Sequence, residues 1–196
     1  IQVVWPKGSF YEKTPLNIEV IPSDGLGCFS PHFAITPTDA PVHYYYEINI
    51  EGLAVPAALR DKAFIARCEA SGNIANCGAT WIGNNLSTGV RVISTYTIMV
   101  DTIAPKISIL HFGPKMTDWK RMAFKISDNF SAKDRGRDLI YDAWVDGQWI
   151  LMSLDGKSST LTHEFDGQLL PGEHQLVIKV TDDRGNEAVL EKSFTL

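Results

Sequence analysis

The sequence predicts an all-β fold, two tandem immunoglobulin-like β-sandwiches, on three observations. Helical periodicity is nearly absent, while short runs of alternating, β-branched and aromatic residues recur between Gly, Pro, Asn and Asp clusters. The 196 residues suit two sandwiches of about 100 residues, each large enough to bury its own core. A short segment ending in proline, Asp101-Thr102-Ile103-Ala104-Pro105, separates two blocks of such runs.

In the first block Leu16, Ile18 and Val20 alternate with other residues, as do Tyr44, Tyr46, Ile48 and Ile50, and then Val92, Ser94, Tyr96, Ile98 and Val100. Successive strand side chains point to opposite faces, so each run is expected to bury one face. Pro56-Ala57-Ala58-Leu59-Arg60-Asp61 is the one helical stretch, with proline at a helix start and room for little more than a turn. Pro105 cannot donate to a ladder and pushes Ala104 into an extended conformation. The domains are therefore expected at residues 1–103 and 104–196.

In the second block Met122, Phe124 and Ile126 alternate, followed by Leu161, His163 and Phe165 and by Leu176, Ile178 and Val180. The runs 141–145 and 148–152 flank Asp146-Gly147, a pair suited to the positive φ angles of a two-residue hairpin. Turns at Asp155-Gly156-Lys157, Leu170-Pro171-Gly172 and 182–186 leave room for about seven strands, the count of an immunoglobulin sandwich.

The composition, 44% hydrophobic and 21% charged, is that of a folded domain, and no apolar run approaches the roughly 18 residues of a membrane span. A formal charge of −5 with no basic run argues against nucleic acid as a partner. The chain opens on Ile1 without a signal peptide, so it is expected to be a mature product or an excised fragment.

Cys68 and Cys77 bracket the stretch from Glu69 to Asn76, which is centred on a turn signal, and are the candidates for a disulfide across a hairpin, with Cys28 outside the bridge; alternatively all three are small buried hydrophobes. His32, His43, His111, His163 and His174 show no metal-ligand spacing, so no metal or other cofactor is expected. Asp128-Asn129 and Asp182-Asp183 with Asn186 lack the spacing of a calcium loop and read as turn formers. No Gly-x-Ser-x-Gly occurs, and carboxylate pairs are too common to indicate an enzyme. The weak binding candidates are aromatic: Tyr45, whose neighbours Tyr44 and Tyr46 point to the other face, and Trp144 and Trp149 beside one hairpin.

Trp5-Pro6-Lys7-Gly8-Ser9-Phe10-Tyr11, Leu59-Arg60-Asp61-Lys62-Ala63, the 100–105 segment, Val145-Asp146-Gly147-Gln148-Trp149-Ile150 and the stretch from Gly172 to Asn186 occur in that order. Together they resemble the non-catalytic C-terminal region of exported lysostaphin-type zinc metallopeptidases, whose peptidase domain cuts peptidoglycan. That family holds zinc through His-x-x-x-Asp and His-x-His motifs. Neither occurs here: His43 is followed four places on by Glu47, and His32 by Thr36. The resemblance implies a non-catalytic binding or spacing module, periplasmic or at the cell surface, whose partner is an adjacent catalytic domain or an envelope component. The alternatives are a stand-alone carbohydrate-binding or adhesin-type protein and an enzyme with an unrecognised carboxylate site.

Overall fold

A computed structural model describes residues 1–23, 25 and 27–196. The chain is all-β apart from one short 3-10 helix among the described residues, and it forms two β-sandwiches. One unit comprises Ile1–Thr102 with Phe130–Asp138, and the other comprises Ile103–Asn129 with Leu139–Leu196. The division near residue 103 follows the proline-terminated segment. Residues 130–138 do not go with the second block, which departs from the expected 104–196 domain.

The first unit starts with β1 (Gln2–Val4), β2 (Asn17–Ile21), β3 (His32–Thr36) and β4 (Tyr46–Glu51). After the helix at Ala57–Lys62 come β5 (Ala63–Cys68), β6 (Ile74–Asn76), β7 (Thr80–Ile82), β8 (Asn85–Val90) and β9 (Thr95–Val100). One sheet runs β1-β4-β8-β7, and the other contains β6-β5-β9-β3-β2. Tyr46, Ile48 and Ile50 on alternate positions of β4, with Leu86 and Val90 of β8, belong to one core with Phe33, Ile35, Ile65, Tyr96 and Ile98 of the other sheet. Buried phenols need acceptors, and Tyr46 and Tyr96 both donate to the Val92 carbonyl. Beside the helix Arg60 stacks its guanidinium over Trp81, 3.7 Å from the ring centroid, while the Trp81 indole N–H donates to the Arg60 carbonyl at 2.8 Å. Gly52 is required there, because a Cβ would lie 2.5 Å from the Trp81 ring.

The run of Leu16, Ile18 and Val20 departs furthest from its expected burial. All five residues of β2 are exposed, Val20 at 58%, because β2 is the outer strand of its sheet and pairs only with β3.

The second unit has β10 (Lys106–His111) and β11 (Arg121–Ser127), and the chain then gives β12 (Ser131–Ala132) to the first unit. The second unit resumes with β13 (Ile140–Val145), β14 (Gln148–Trp149), β15 (Ser153–Asp155), β16 (Thr160–Glu164), β17 (Glu173–Thr181) and β18 (Glu187–Thr195). Its sheets, β10-β11-β16-β15 and β14-β13-β17-β18, follow the A-B-E-D and C′-C-F-G order of an immunoglobulin sandwich. Met122, Phe124 and Ile126, Leu161, and Leu176, Ile178 and Val180 are all buried in its core with Val145 and Phe194. Asp146 and Gly147 have φ of 52° and 78°, and Val145 pairs with Gln148, which is a two-residue turn with both central residues left-handed.

Residues 130–138 complete the first unit. Strand β12 pairs in parallel with β6, making the larger sheet β12-β6-β5-β9-β3-β2, and the Lys133 N–H donates to the Asn76 carbonyl at 2.8 Å. Phe130 packs on Phe64 at 4.9 Å between centroids. Asp134 accepts from Arg67 Nη1 at 2.8 Å, the Cys77 thiol at 3.4 Å and the Arg91 N–H at 3.1 Å, while Arg67 Nη2 donates to Glu69 at 3.1 Å. The backbones close on each other where Gly136 passes Asn76, and a Cβ on Gly136 would lie 2.3 Å from the Asn76 carbonyl oxygen.

The Cys68–Cys77 disulfide expected from spacing does not form. The turn closes early: Gly72, at φ 85°, donates to the Glu69 carbonyl, so Cys68 stands opposite Ile74 and Cys77 bonds opposite Ile65. Three register steps, about 10 Å, separate the two positions along the ladder, beyond the span of a disulfide.

Candidate binding face

Strand β13 turns Ala143 and Val145 inward, so Ile140, Asp142 and Trp144 face outward. Trp144 stands directly opposite Trp149 across the hairpin, which puts both indoles on the same outer face. Register extends this face over the sheet: Val177 lies opposite Trp144 and Lys179 opposite Asp142, with Glu191 opposite Val177 and Val189 opposite Lys179.

Trp149 is 58% exposed and Trp144 half-buried. The Trp149 indole N–H donates to Asp142 Oδ1 at 3.1 Å, which fixes the plane of the ring. Lys179 forms an ion pair with Glu187. At the hairpin edge Tyr141, Trp149, Leu151 and Met152 contribute to a recess of about 240 Å³. The surface thus offers a pinned aromatic platform surrounded by carboxylates and an ammonium, which can stack on a flat or ring-shaped ligand and hydrogen-bond its rim.

The hairpin below this face is locked by His174. Its Nδ1 lies 2.7 Å from Asp146 Oδ2 and its Nε2 2.7 Å from the Leu170 carbonyl, so both nitrogens meet acceptors. The bond to Asp146 holds the imidazole above its ordinary value. Asp146 is held below the usual carboxylate range by the Gln175 N–H and then by His174.

Tyr45 belongs to the first unit. It is 42% exposed, and the Arg135 guanidinium covers its ring at 4.8 Å from the centroid. The structure therefore unites two of the three aromatic candidates and leaves the third under a cation. Tyr44 is exposed too, because β4 begins only at Tyr46. The sequence reading missed Asp142, Lys179 and Glu191, whose place beside the tryptophans depends on register; the alternation of residues 140–145 was the available signal for Asp142.

His163 places Nδ1 2.9 Å from the Leu151 carbonyl, a structural bond. Asp128 and Asp182 bring carboxylate oxygens within 4.8 Å of each other. Both Asp182 oxygens already accept hydrogen bonds, Oδ1 from the Arg184 and Asn186 N–H groups and Oδ2 from the Asn186 amide, which is a turn-forming arrangement.

Comparison with known proteins adds three findings. A family profile described as a Zu5-like domain matches residues 1–101. The chain is 43% identical over 56 residues to the uncharacterized protein YvnB of Bacillus subtilis (strain 168). That match covers 28% of this chain and 4% of YvnB, so the chain spans a small fraction of the curated relative's length. A solved β-1,2-glucanase from Parabacteroides distasonis aligns over 100% of this chain and 36% of its own, at 11% identity and a TM-score of 0.25, a likeness that does not bear on fold or chemistry.

Proposed function

We propose, for a chain that belongs to the Zu5-like domain family through residues 1–101, that it is a non-catalytic binding or spacing module of an exported cell-wall peptidase. In this reading the outer face of the β14-β13-β17-β18 sheet contacts the cell envelope. The observation that carries it is the cross-strand Trp144–Trp149 pair, with one ring exposed and pinned to Asp142. Flat indole faces suit the apolar faces of sugar rings, and the polar indole N–H lets such a ring sit at a wet surface. The resemblance to the C-terminal regions of lysostaphin-type peptidases supplies the cell-wall context.

The test is sedimentation of the chain with purified peptidoglycan. Trp149→Ala is expected to weaken the apparent affinity at least tenfold, about 1.4 kcal/mol, while leaving the unfolding midpoint within a few degrees. Peptidoglycan hydrolysis by the chain alone, or undiminished binding of the Trp149→Ala variant, would overturn this reading. The same platform supports a second reading, a stand-alone glycan-binding surface protein. Equal binding of soluble non-cell-wall glycans would favour that alternative.

A further inference from the structure

The outer face of the larger sheet in the first unit carries a pair of reactive groups separate from the tryptophan face. Cys68 ends β5 and His32 begins β3, with β9 between their strands. Alternation puts both on the face opposite the main core, and the register on β9 sets Thr95 opposite Cys68. Cys68 Sγ lies 3.7 Å from His32 Nδ1. Both residues are half-buried, within reach of small reagents. The Ser94 hydroxyl donates to the Cys68 carbonyl at 3.1 Å and steadies the strand end. Next to Cys68 in the chain, Arg67 and Glu69 are engaged with each other at 3.1 Å.

Cys77 supplies the internal contrast. It is fully buried, and its thiol donates to the Asp134 carboxylate at 3.4 Å. Burial and then the nearby negative charge push that thiol up, so it is held protonated. An imidazole beside a thiol acts in the opposite sense, since it can accept the proton and stabilise the thiolate, the nucleophilic form.

We propose that Cys68 and His32 form a nucleophilic thiol–imidazole pair that captures small disulfides. His32 takes the Cys68 proton, and the thiolate attacks one sulfur of an R–S–S–R molecule. A Cys68–S–S–R bond forms as the original S–S bond breaks. The Cys68 sulfur is oxidised and the departing sulfur reduced, and the leaving thiolate takes the proton back from the imidazolium, giving R–SH.

The experiment uses the full folded chain with glutathione disulfide, the adduct being located by peptide mass spectrometry and its rate followed across pH. The adduct is expected on Cys68, absent from Cys77, unchanged in Cys28→Ser and lost in Cys68→Ser. His32→Gln, with its fold checked by its unfolding midpoint, is expected to slow adduct formation about tenfold near pH 7 and to move the rate profile to that of an ordinary thiol, near 8.5. Preferential labelling of Cys28, a Cys28–Cys68 disulfide in place of the adduct, or an unchanged pH profile in His32→Gln would overturn the proposal.

Discussion

The two sandwiches solve the same problem with different degrees of independence. The second unit assembles its sheets in the immunoglobulin order within one stretch of core-forming strands, and Phe124, Ile178 and Phe194 fill its core. The first unit builds a larger sheet and takes that sheet's sixth strand from residues beyond the 101–105 segment. The borrowed segment is held by a buried ion pair, a parallel strand contact and one aromatic plug. Connectivity in sequence and membership in a core are thus separable.

The largest expected effect tests that attachment. Asp134→Ala leaves Arg67 buried with only Glu69 as an acidic partner, and removing one member of a buried pair costs about 3 kcal/mol or more. Chemical denaturation should show this loss in the first unit's transition, with the second unit's midpoint unchanged. Equal shifts in both transitions would erase the distinction between the units.

A backbone change sharpens the same comparison. Gly136→Ala sets a methyl against the Asn76 carbonyl, where neither backbone yields cheaply, and is expected to cost about 1–3 kcal/mol in the first unit. The control Gly156→Ala lies in the second unit, where a Cβ meets nothing within 4 Å, and should change stability by less than about 0.5 kcal/mol. Comparable losses in the two variants would show that residues 130–138 are not closely seated.

The smallest effect concerns pH and belongs to the second unit. His174 is raised in the folded state, so its contribution is fully present below its unfolded value, about 6.5, and fades as pH rises through the folded value. Asp146 is lowered, so its contribution is present above about 3.9 and fades as pH falls through the folded value. The hairpin lock should therefore be strongest between about pH 4 and 6.5. Titration of His174 by NMR should give a midpoint above that of the denatured chain; Asp146→Asn should bring it back toward the denatured value.

Much of the second unit was legible in the sequence because its signals are local. Asp146-Gly147 specifies its turn within two residues, and alternation assigns Trp144 to the outer face before any partner is known. In the first unit the decisive contacts are long-range. Residues 130–138 carry five charged residues and one large apolar residue, Phe130, and read as a loop. Nothing local reveals that Asp134 meets Arg67 or that Gly136 is chosen for Asn76. The disulfide reading failed on a turn placed by symmetry between Cys68 and Cys77, when Gly72 closes it on Glu69 and shifts the register. The His32–Cys68 pair was hidden for the same reason, since β9 lies between their strands.

The central claim is that residues 130–138 are part of the first unit's fold, and hydrogen exchange measures it most directly. The full chain is compared with a variant in which these residues are replaced by a Gly/Ser linker of equal length. The expected result is loss of amide protection in β6, β5 and β9, while β11, β13 and β17 keep theirs. Unchanged protection across β6 and β5, or protection lost from β13 and β17 instead, would contradict the account.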